Sequence, residues 1–291
     1  MTEVRSTDRL SAAEAADVLT LAAAAETADG VFPLSEDVVL KVRRGSGLHL
    51  LAYAGDDVAG YSYLDPADRS GELFVHPDHR RRGHGTALLA AAGSGPLRFW
   101  AHGDETGARA FAARNGFTRA RVLWQMRRPL GDPPLPTVPL PAGVTLRHFR
   151  PGHDDQAWLG VNSRAFAHHR EQGRWTIADL RVREAEPWFD PAGFLLAVDI
   201  SDTMLGFHWT KVHEPAGADP AIGEIYVLAV DPGGHRRGLG AALSVAGLEH
   251  LAGRGLTQAM LYVDESNAAA VRLYRGLGFE VFKADINYHR G

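Results

Sequence analysis

A length of 291 residues suits two domains of about 140 residues each, and a 45% hydrophobic, 23% charged composition is ordinary for a soluble globular chain. A net charge of −4 argues against broad nucleic-acid binding, so the arginine clusters are local features. With no cysteine there can be no disulfide framework, thiolate zinc site or cysteine nucleophile, and any acyl transfer must avoid a Cys-acyl intermediate. No apolar run reaches the ~18 residues of a membrane span and no signal-like start is present, so a cytoplasmic protein without a membrane partner is expected.

In chain order, residues 10–29 read as a helix with a capping-box start at Ser11 and Glu14. Leu48–Ala54 and Val58–Leu64 read as a hairpin around Gly55-Asp56-Asp57. Gly71–Val75 is a strand feeding a basic glycine-rich turn, and the helix after it is stopped early by Gly93-Ser94-Gly95-Pro96. Leu97–Ala101 is a strand, Thr106–Arg114 a helix and Ala120–Met126 a strand. Six prolines between Pro129 and Gly143 then favour an extended connector.

The second half repeats the order at greater length. Val144–Phe149 is a strand, and Asp154–Ala167 and Trp175–Glu184 are helices. Phe194–Asp199 and Leu205–Val212 form a hairpin, and Gly223–Val230 is the strand before a second glycine-rich turn. A helix from Gly240 to about Arg254, a strand Ala259–Val263, a helix Asn267–Gly276 and a strand Val281–Tyr288 follow. Strands mixed with crossover helices imply an α/β fold, a mixed sheet flanked by helices in each half. The expected domains are 1–130 and 143–291, joined by a linker at 131–142.

The repetition is explicit at the two turns. In Val75-His76-Pro77-Asp78-His79-Arg80-Arg81-Arg82-Gly83-His84-Gly85-Thr86 of the first half, Val75, Pro77, Arg81, Arg82, Gly83 and Gly85 fall on Val230, Pro232, Arg236, Arg237, Gly238 and Gly240, a constant 155 positions apart. Further along, Ala108–Phe117 corresponds to Ala270–Phe279. Such a turn aims several backbone N–H groups at one small volume at a helix N-terminus, which suits a pyrophosphate. The nucleotide-triphosphate loop is excluded because none of Lys41, Lys211 and Lys283 stands in the required setting, and the dinucleotide fingerprint is only half present.

The turn matches the [QR]xxGx[GA] loop of the GNAT acetyltransferases, with His235 where Gln or Arg is usual, and Asn267xxAla270xxLeu273-Tyr274xxxGly278-Phe279 matches that family's NxxAxxLYxxxGF signature. The chain thus resembles two tandem GNAT domains. The resemblance implies an acetyl-CoA-dependent N-acetyltransferase with acetyl-CoA as co-substrate and no metal. It would lie along Leu228, Ala229, Val230, His235, Arg236, Arg237, Gly238, Leu239, Gly240, Ala241, Asn267, Ala268, Ala269, Ala270, Val271 and Arg272. A second acetyl-CoA would lie along Leu73, Phe74, Val75, Arg81, Arg82, Gly83, His84, Gly85 and Thr86.

The halves differ where proton transfer would occur. An amine must be neutral to attack a thioester, so a carboxylate to take its proton and a phenol to protonate the leaving thiolate are needed. Glu224 and Tyr274 fit these roles. Six residues before the matching valine the first half has Arg69 instead of Glu224, and on the later helix Ala112 replaces Tyr274 and Glu105 replaces Asn267. The first half is therefore expected to bind acyl-CoA without turning over. Glu72 stands three residues nearer the loop and is not the counterpart of Glu224.

Ala165–Thr176, Phe207–His213, Gly223–Tyr226 and Leu261–Val263 extend the resemblance to tandem family members that acetylate a sugar-linked cysteine. That implies the cysteinyl amine of cysteinyl-glucosaminyl-inositol as acceptor and a substrate pocket of Glu36, Glu171, Lys211, Glu224 and Tyr262. Read alone, Glu36 and Glu171 are surface charges, while a solvated strand residue is the alternative to a pocket role for Lys211. His168-His169 lacks partners at metal-ligand spacing. A monomer is expected. An aminoglycoside-type acetyltransferase and a non-catalytic acyl-CoA sensor are the alternative functions.

Overall fold

The computed structural model describes residues 2–44, 47–168, 170–215, 219–234 and 238–291. Its compact units are assembled from separated stretches of chain: unit 1 contains Met1–Trp124, Asp264–Ser266 and Lys283–Gly291, and unit 2 contains Gln125–Val263 and Asn267–Phe282.

The first half contributes β1 (Glu3–Thr7), α1 (Ala12–Asp29), α2 (Glu36–Arg44), β2 (Leu48–Ala54), β3 (Asp57–Asp65), β4 (Ser70–Val75), α3 (His84–Ala91), β5 (Leu97–Ala101), α4 (Thr106–Arg114) and β6 (Thr118–Pro129). The capping box is present: Ser11 N donates to Glu14 Oε2 at 2.7 Å, and Glu14 N donates to Ser11 Oγ at 3.3 Å. The nine-residue α2 had no place in the sequence reading. Val38 and Val42, one turn apart, are its inward stripe and pack with Val18, Leu21 and Ala22 of α1.

The second half contributes β7 (Thr145–His148), α5 (Asp155–Ala165), α6 (Arg170–Gly173), α7 (Ile177–Glu184), β8 (Phe194–Val198), β9 (Met204–His213), β10 (Ile222–Val230), α8 (Leu239–Gly253), β11 (Gln258–Asp264), α9 (Ala268–Gly276) and β12 (Glu280–Arg290). α7 starts two residues after the expected Trp175 because Thr176 caps it, exchanging hydrogen bonds with Asp179. Among the described residues, no helix is long and apolar enough to cross a membrane.

In unit 1 the strand order is β1-β2-β3-β4-β5-β12, with β4 and β5 parallel and the other pairs antiparallel. Successive side chains on a strand point to opposite faces. Leu51, Tyr61 and Phe74 accordingly meet α1 and α2, while Leu50, Leu64 and Leu97 meet Leu88 and Leu89 of α3 and Ala112 of α4. The expected closing strand at the end of the chain is present as β12. Its partner is β5, with Ile286 opposite Ala101 and Arg290 opposite Leu97. The reason is apolar alternation: Ala284, Ile286 and Tyr288 share a face and complete the cluster around Phe99, Phe117 and Val122. Burying Ile286 alone contributes roughly 1.5–3 kcal/mol.

Unit 2 repeats the plan with β7-β8-β9-β10-β11, in which β10 and β11 are parallel. Phe194, Leu196, Phe207 and Trp209 pack on one face with Trp158 and Val161 of α5 and Leu180 of α7. Ala197 and Leu205 pack on the other with Leu239 and Leu243 of α8.

Candidate active site

The site in unit 2 is built on β10. Its ladder with β9 places Glu224 opposite Lys211 and Val230 opposite Gly206, and slips by one residue between Ile225 and Val227. Tyr226 is the extra residue of this bulge, which bends the strand and raises its twist. On the other edge, pairing with β11 runs from Gly223 to Ile225, which lies opposite Leu261. Beyond that point the two parallel strands part. Leu228, Ala229 and Val230 lie on the parted segment, where an extended amide chain can take the ladder position that β11 has given up.

The turn after β10 is anchored by Asp231. Its carboxylate is buried, accepts from Gly233 N at 2.9 Å and pairs with Arg164 of α5, whose guanidinium holds it below the usual carboxylate range. His235, Arg236 and Arg237 lie outside the described residues. Gly238 caps α8 at φ +86°, the left-handed region that glycine enters without steric cost, and among the described residues nothing stands within 4 Å of where its Cβ would be. A Cβ on Gly240 would sit 3.9 Å from both Leu273 and Val230, so α8 packs closely on its neighbours. Leu239 is buried beneath the turn and Ala241 is half-buried. The first N–H groups of the 15-residue α8, reinforced by its dipole, form an anion cradle.

α9 supplies the other wall. Asn267 caps it, its Oδ1 accepting from Ala270 N at 3.1 Å. Ala268, Ala269 and Arg272 are exposed, Ala270 is half-buried and Val271 turns inward. Tyr274 is buried, its ring edge-on to Phe279 with centroids 5.9 Å apart. Burial pushes its phenol up to about 12, so the hydroxyl keeps its proton at neutral pH and is available as a donor.

Glu224 is buried at 6% exposure, and its Oε2 lies 2.6 Å from His213 Nε2. Lys211, opposite Glu224, is buried as well, which disfavours the alternative of a solvated strand residue. Its ammonium lies 4.6 Å from the Trp188 ring centroid and 5.3 Å from that of Tyr226, since an aromatic face tolerates a cation. Tyr226 OH accepts from Arg183 Nε at 3.0 Å, and that guanidinium stacks 3.8 Å over Trp175. The result is a carboxylate, an ammonium and a guanidinium on an aromatic floor. The sequence reading missed His213, Arg183, Trp188 and Trp175 as contributors to this floor. The spacing of His213 two residues beyond Lys211 was the available signal.

Tyr262 extends from β11 two residues beyond Met260, the neighbour of Glu224, and so shares its face of the sheet; its hydroxyl accepts from Gln125 Nε2 at 2.7 Å. Glu36 opens α2 in unit 1, and the side chain of Glu171 lies outside the described residues. Among the described residues no cluster of metal-ligating side chains occurs.

Unit 1 carries the same cradle. β4 pairs with parallel β5 from Ser70 to Glu72 and then parts from it, leaving Leu73, Phe74 and Val75. Arg81, Arg82 and Thr86 are exposed at the turn and His84 is buried. Gly83 caps α3 at φ +93°, and a Cβ on Gly85 would press on Phe111 at 3.3 Å.

In each unit a mixed sheet whose two parallel strands separate above a glycine turn defines an acyl-CoA transferase of the GNAT class. The family comparisons agree: the GNAT acetyltransferase family model matches residues 162–279, and a second GNAT domain model matches residues 45–119. A tandem GNAT protein from the clavulanic acid biosynthesis pathway superposes with a TM-score of 0.71 at 21% identity, covering 99% of this chain and 98% of its own. A GCN5-related N-acetyltransferase from Sphaerobacter thermophilus superposes with a TM-score of 0.70 at 25% identity, covering 99% and 95%. Among curated relatives, the mycothiol acetyltransferase of Salinispora arenicola is 57% identical over 99% of this chain and 96% of its own length. That of Thermobispora bispora is 57% identical over 94% and 95%. The chain belongs to the mycothiol acetyltransferase family and is an acetyl-CoA-dependent N-acetyltransferase.

Proposed function

We propose that unit 2 transfers the acetyl group of acetyl-CoA to the cysteinyl amine of cysteinyl-glucosaminyl-inositol, giving mycothiol, with Glu224 as base and Tyr274 as acid. The observation that carries this reading is the near-full-length identity to relatives named for mycothiol acetylation. The acceptor floor supports it. An α-amino group with an ordinary pKa of about 7.7–8.0 is mostly protonated at neutral pH but lies within about one unit of its pKa, so one carboxylate suffices as the base. Glu224 takes the ammonium proton and passes it to solvent, and the amine nitrogen bonds to the thioester carbon. That nitrogen then gives its second proton to Glu224 as the carbon–sulfur bond breaks. The sulfur receives a proton from Tyr274, a solvent proton restores the phenol, and Glu224 releases the second proton. The net products are an amide, free CoA thiol and one proton. A backbone N–H of Leu228–Val230 is the donor nearest in kind to what the carbonyl oxygen requires.

Acetyl-CoA is held along the parted end of β10, the turn before α8 and the start of α9, and a second molecule rests in the unit 1 cradle without turning over. Release of CoA with cysteinyl-glucosaminyl-inositol, measured against a panel of aminoglycosides, tests the acceptor. Acetylation of aminoglycosides alone would overturn it, and acetyl-CoA binding without release of CoA to any amine would leave only a sensor. Tyr274→Phe should lower kcat about 10- to 100-fold while acetyl-CoA affinity holds.

A further inference from the structure

Glu224 acquires its orientation from a residue on the neighbouring strand. On β9, Lys211 and His213 are two apart and share a face of the sheet, as do Ile222 and Glu224 on β10, and His213 is paired with Ile222 in the ladder. The diagonal of that square, His213 to Glu224, is closed by the 2.6 Å contact between Nε2 and Oε2. Diagonal neighbours in an antiparallel pair lie within reach of long side chains. Glu224 is 8% exposed at its side chain and His213 is 31% exposed, so the bond links an enclosed carboxylate to a ring at the edge of the site.

We propose that His213 is a positioning residue for the acyl transfer: its Nε2–H donates to Glu224 Oε2 and so fixes the carboxylate for the incoming amine. A carboxylate on a flexible side chain that must meet one proton gains most from having one oxygen committed. At 2.6 Å the bond to an ionised group is of the strong, charge-assisted kind. Lys211, opposite Glu224 in the same ladder, stacks on Trp188 and Tyr226. This inference rests on Glu224 being the base, and the test separates the two.

Four variants of the full chain decide it: His213→Leu, His213→Phe, His213→Gln and Glu224→Gln. Each is assayed for kcat and for KM of both substrates, with a thermal melt and acetyl-CoA binding to establish folding. His213→Leu and His213→Phe should lower kcat about 10- to 100-fold with KM for acetyl-CoA unchanged. His213→Gln, whose side-chain amide presents an N–H at nearly the same distance, should recover most of that loss. Phe keeps the ring volume, so it reports even if Leu fails to fold. Full turnover in His213→Phe beside an inactive Glu224→Gln would overturn the positioning role and leave the base intact. Equal losses in His213→Phe and His213→Gln would overturn it too, because the N–H donor would then be irrelevant. Normal turnover in Glu224→Gln would remove the base, and the role of His213 with it.

Discussion

The turns before α3 and α8 are near copies. Gly83 and Gly238 cap their helices at φ +93° and +86° with open space above them among the described residues; a Cβ on Gly85 would press on Phe111 at 3.3 Å, whereas one on Gly240 would meet only ordinary contacts at 3.9 Å. The strands that feed them are not copies. The β3–β4 ladder runs from Gly60 opposite Val75 to Asp65 opposite Ser70 without a slip, whereas β9–β10 carries the bulge at Tyr226. Counted along the ladder from the shared glycine, the counterpart of Glu224 is Ser70, not Arg69 as counting along the chain had it. Neither is a base. A cradle made of backbone N–H groups depends little on side-chain identity, whereas the side chains proposed as base and acid, Glu224 and Tyr274, have no like residue at the matching places of unit 1. What unit 1 has in its interior instead is a charge cluster. His102 stands between Glu72 at 3.3 Å and Asp285 at 3.0 Å, and Ser35 N and Gly103 N donate to the same carboxylates. Burial opposes charge on this imidazole, but the two carboxylates outweigh it and raise it to about 10.

The largest expected effect separates the two buried glutamates. Glu224→Gln should lower kcat about 10²- to 10⁴-fold at unchanged stability and acetyl-CoA affinity. Glu72→Gln should leave turnover per folded molecule at the parent level and destabilise unit 1 by roughly 3 kcal/mol, the cost of breaking a buried pair. Steady-state kinetics beside hydrogen exchange resolved by unit checks both. A large kcat loss in stable Glu72→Gln would give unit 1 a working role.

The units should also respond to pH in opposite senses. His102 has a folded pKa above its unfolded value of 6.5, so its contribution is complete below about 6.5 and is lost as pH rises through about 10. His208 of unit 2 is the reverse. Burial lowers it to about 4, though its bond to Leu243 O at 2.7 Å works against the shift, and its buried Nε2 finds no partner among the described residues. Its contribution is complete above about 6.5 and is lost as pH falls toward about 4. Hydrogen exchange at mildly acid and mildly alkaline pH should therefore open unit 2 first in acid and unit 1 first in alkali. His102→Leu should flatten the alkaline limb only.

A packing difference gives a smaller, reciprocal test. A Cβ on Gly247 would stand 2.0 Å from Cε1 of the His208 ring. Unit 1 has Ala92 at the position matching Gly247 and Ser62 at that matching His208; both are buried, and the smaller Ser62 turns its hydroxyl to Glu72 O at 2.9 Å. Gly247→Ala should cost about 1–3 kcal/mol by overpacking. Adding His208→Ser should restore most of it, a coupling that a melting cycle of the four proteins measures. Additive losses would mean that the two positions do not share one space.

Local rules carried the sequence reading far. The Ser11–Glu14 box, the hairpin at Gly55 and both glycine turns need only neighbours in sequence, and each is where the residues put it. Long-range pairing was beyond reach. Alternation at Ala284, Ile286 and Tyr288 marks a strand but cannot name β5 as its partner. A bulge at Tyr226 is a property of a ladder, so no count along β10 reveals it, and the error at Arg69 followed. The burial of Lys211 depends on Trp188, 23 residues earlier in the chain, and the bond from His213 to Glu224 on a register that one strand does not contain. The cradle was legible because its chemistry is backbone conformation; the acceptor floor was not, because it is tertiary.

The smallest effect concerns the helix caps. Asn267 caps α9 through Oδ1, whereas Glu105 holds the matching place before α4 in an extended conformation, φ −72° and ψ 137°, with no side-chain bond to the helix. Asparagine is among the best N-caps because its short side chain reaches the N–H groups of the first turn, and losing it costs about 1 kcal/mol. Asn267→Ala should lower stability by about that amount in the absence of acetyl-CoA, and Glu105→Asn should raise that of unit 1 by up to about the same. Both are read from melts without ligand, so a contact between Asn267 and acetyl-CoA does not enter. If Glu105→Asn stabilises and also restores no turnover in an enzyme lacking Glu224, the cap is a separable loss of unit 1, and the missing base and acid remain the difference that matters for catalysis.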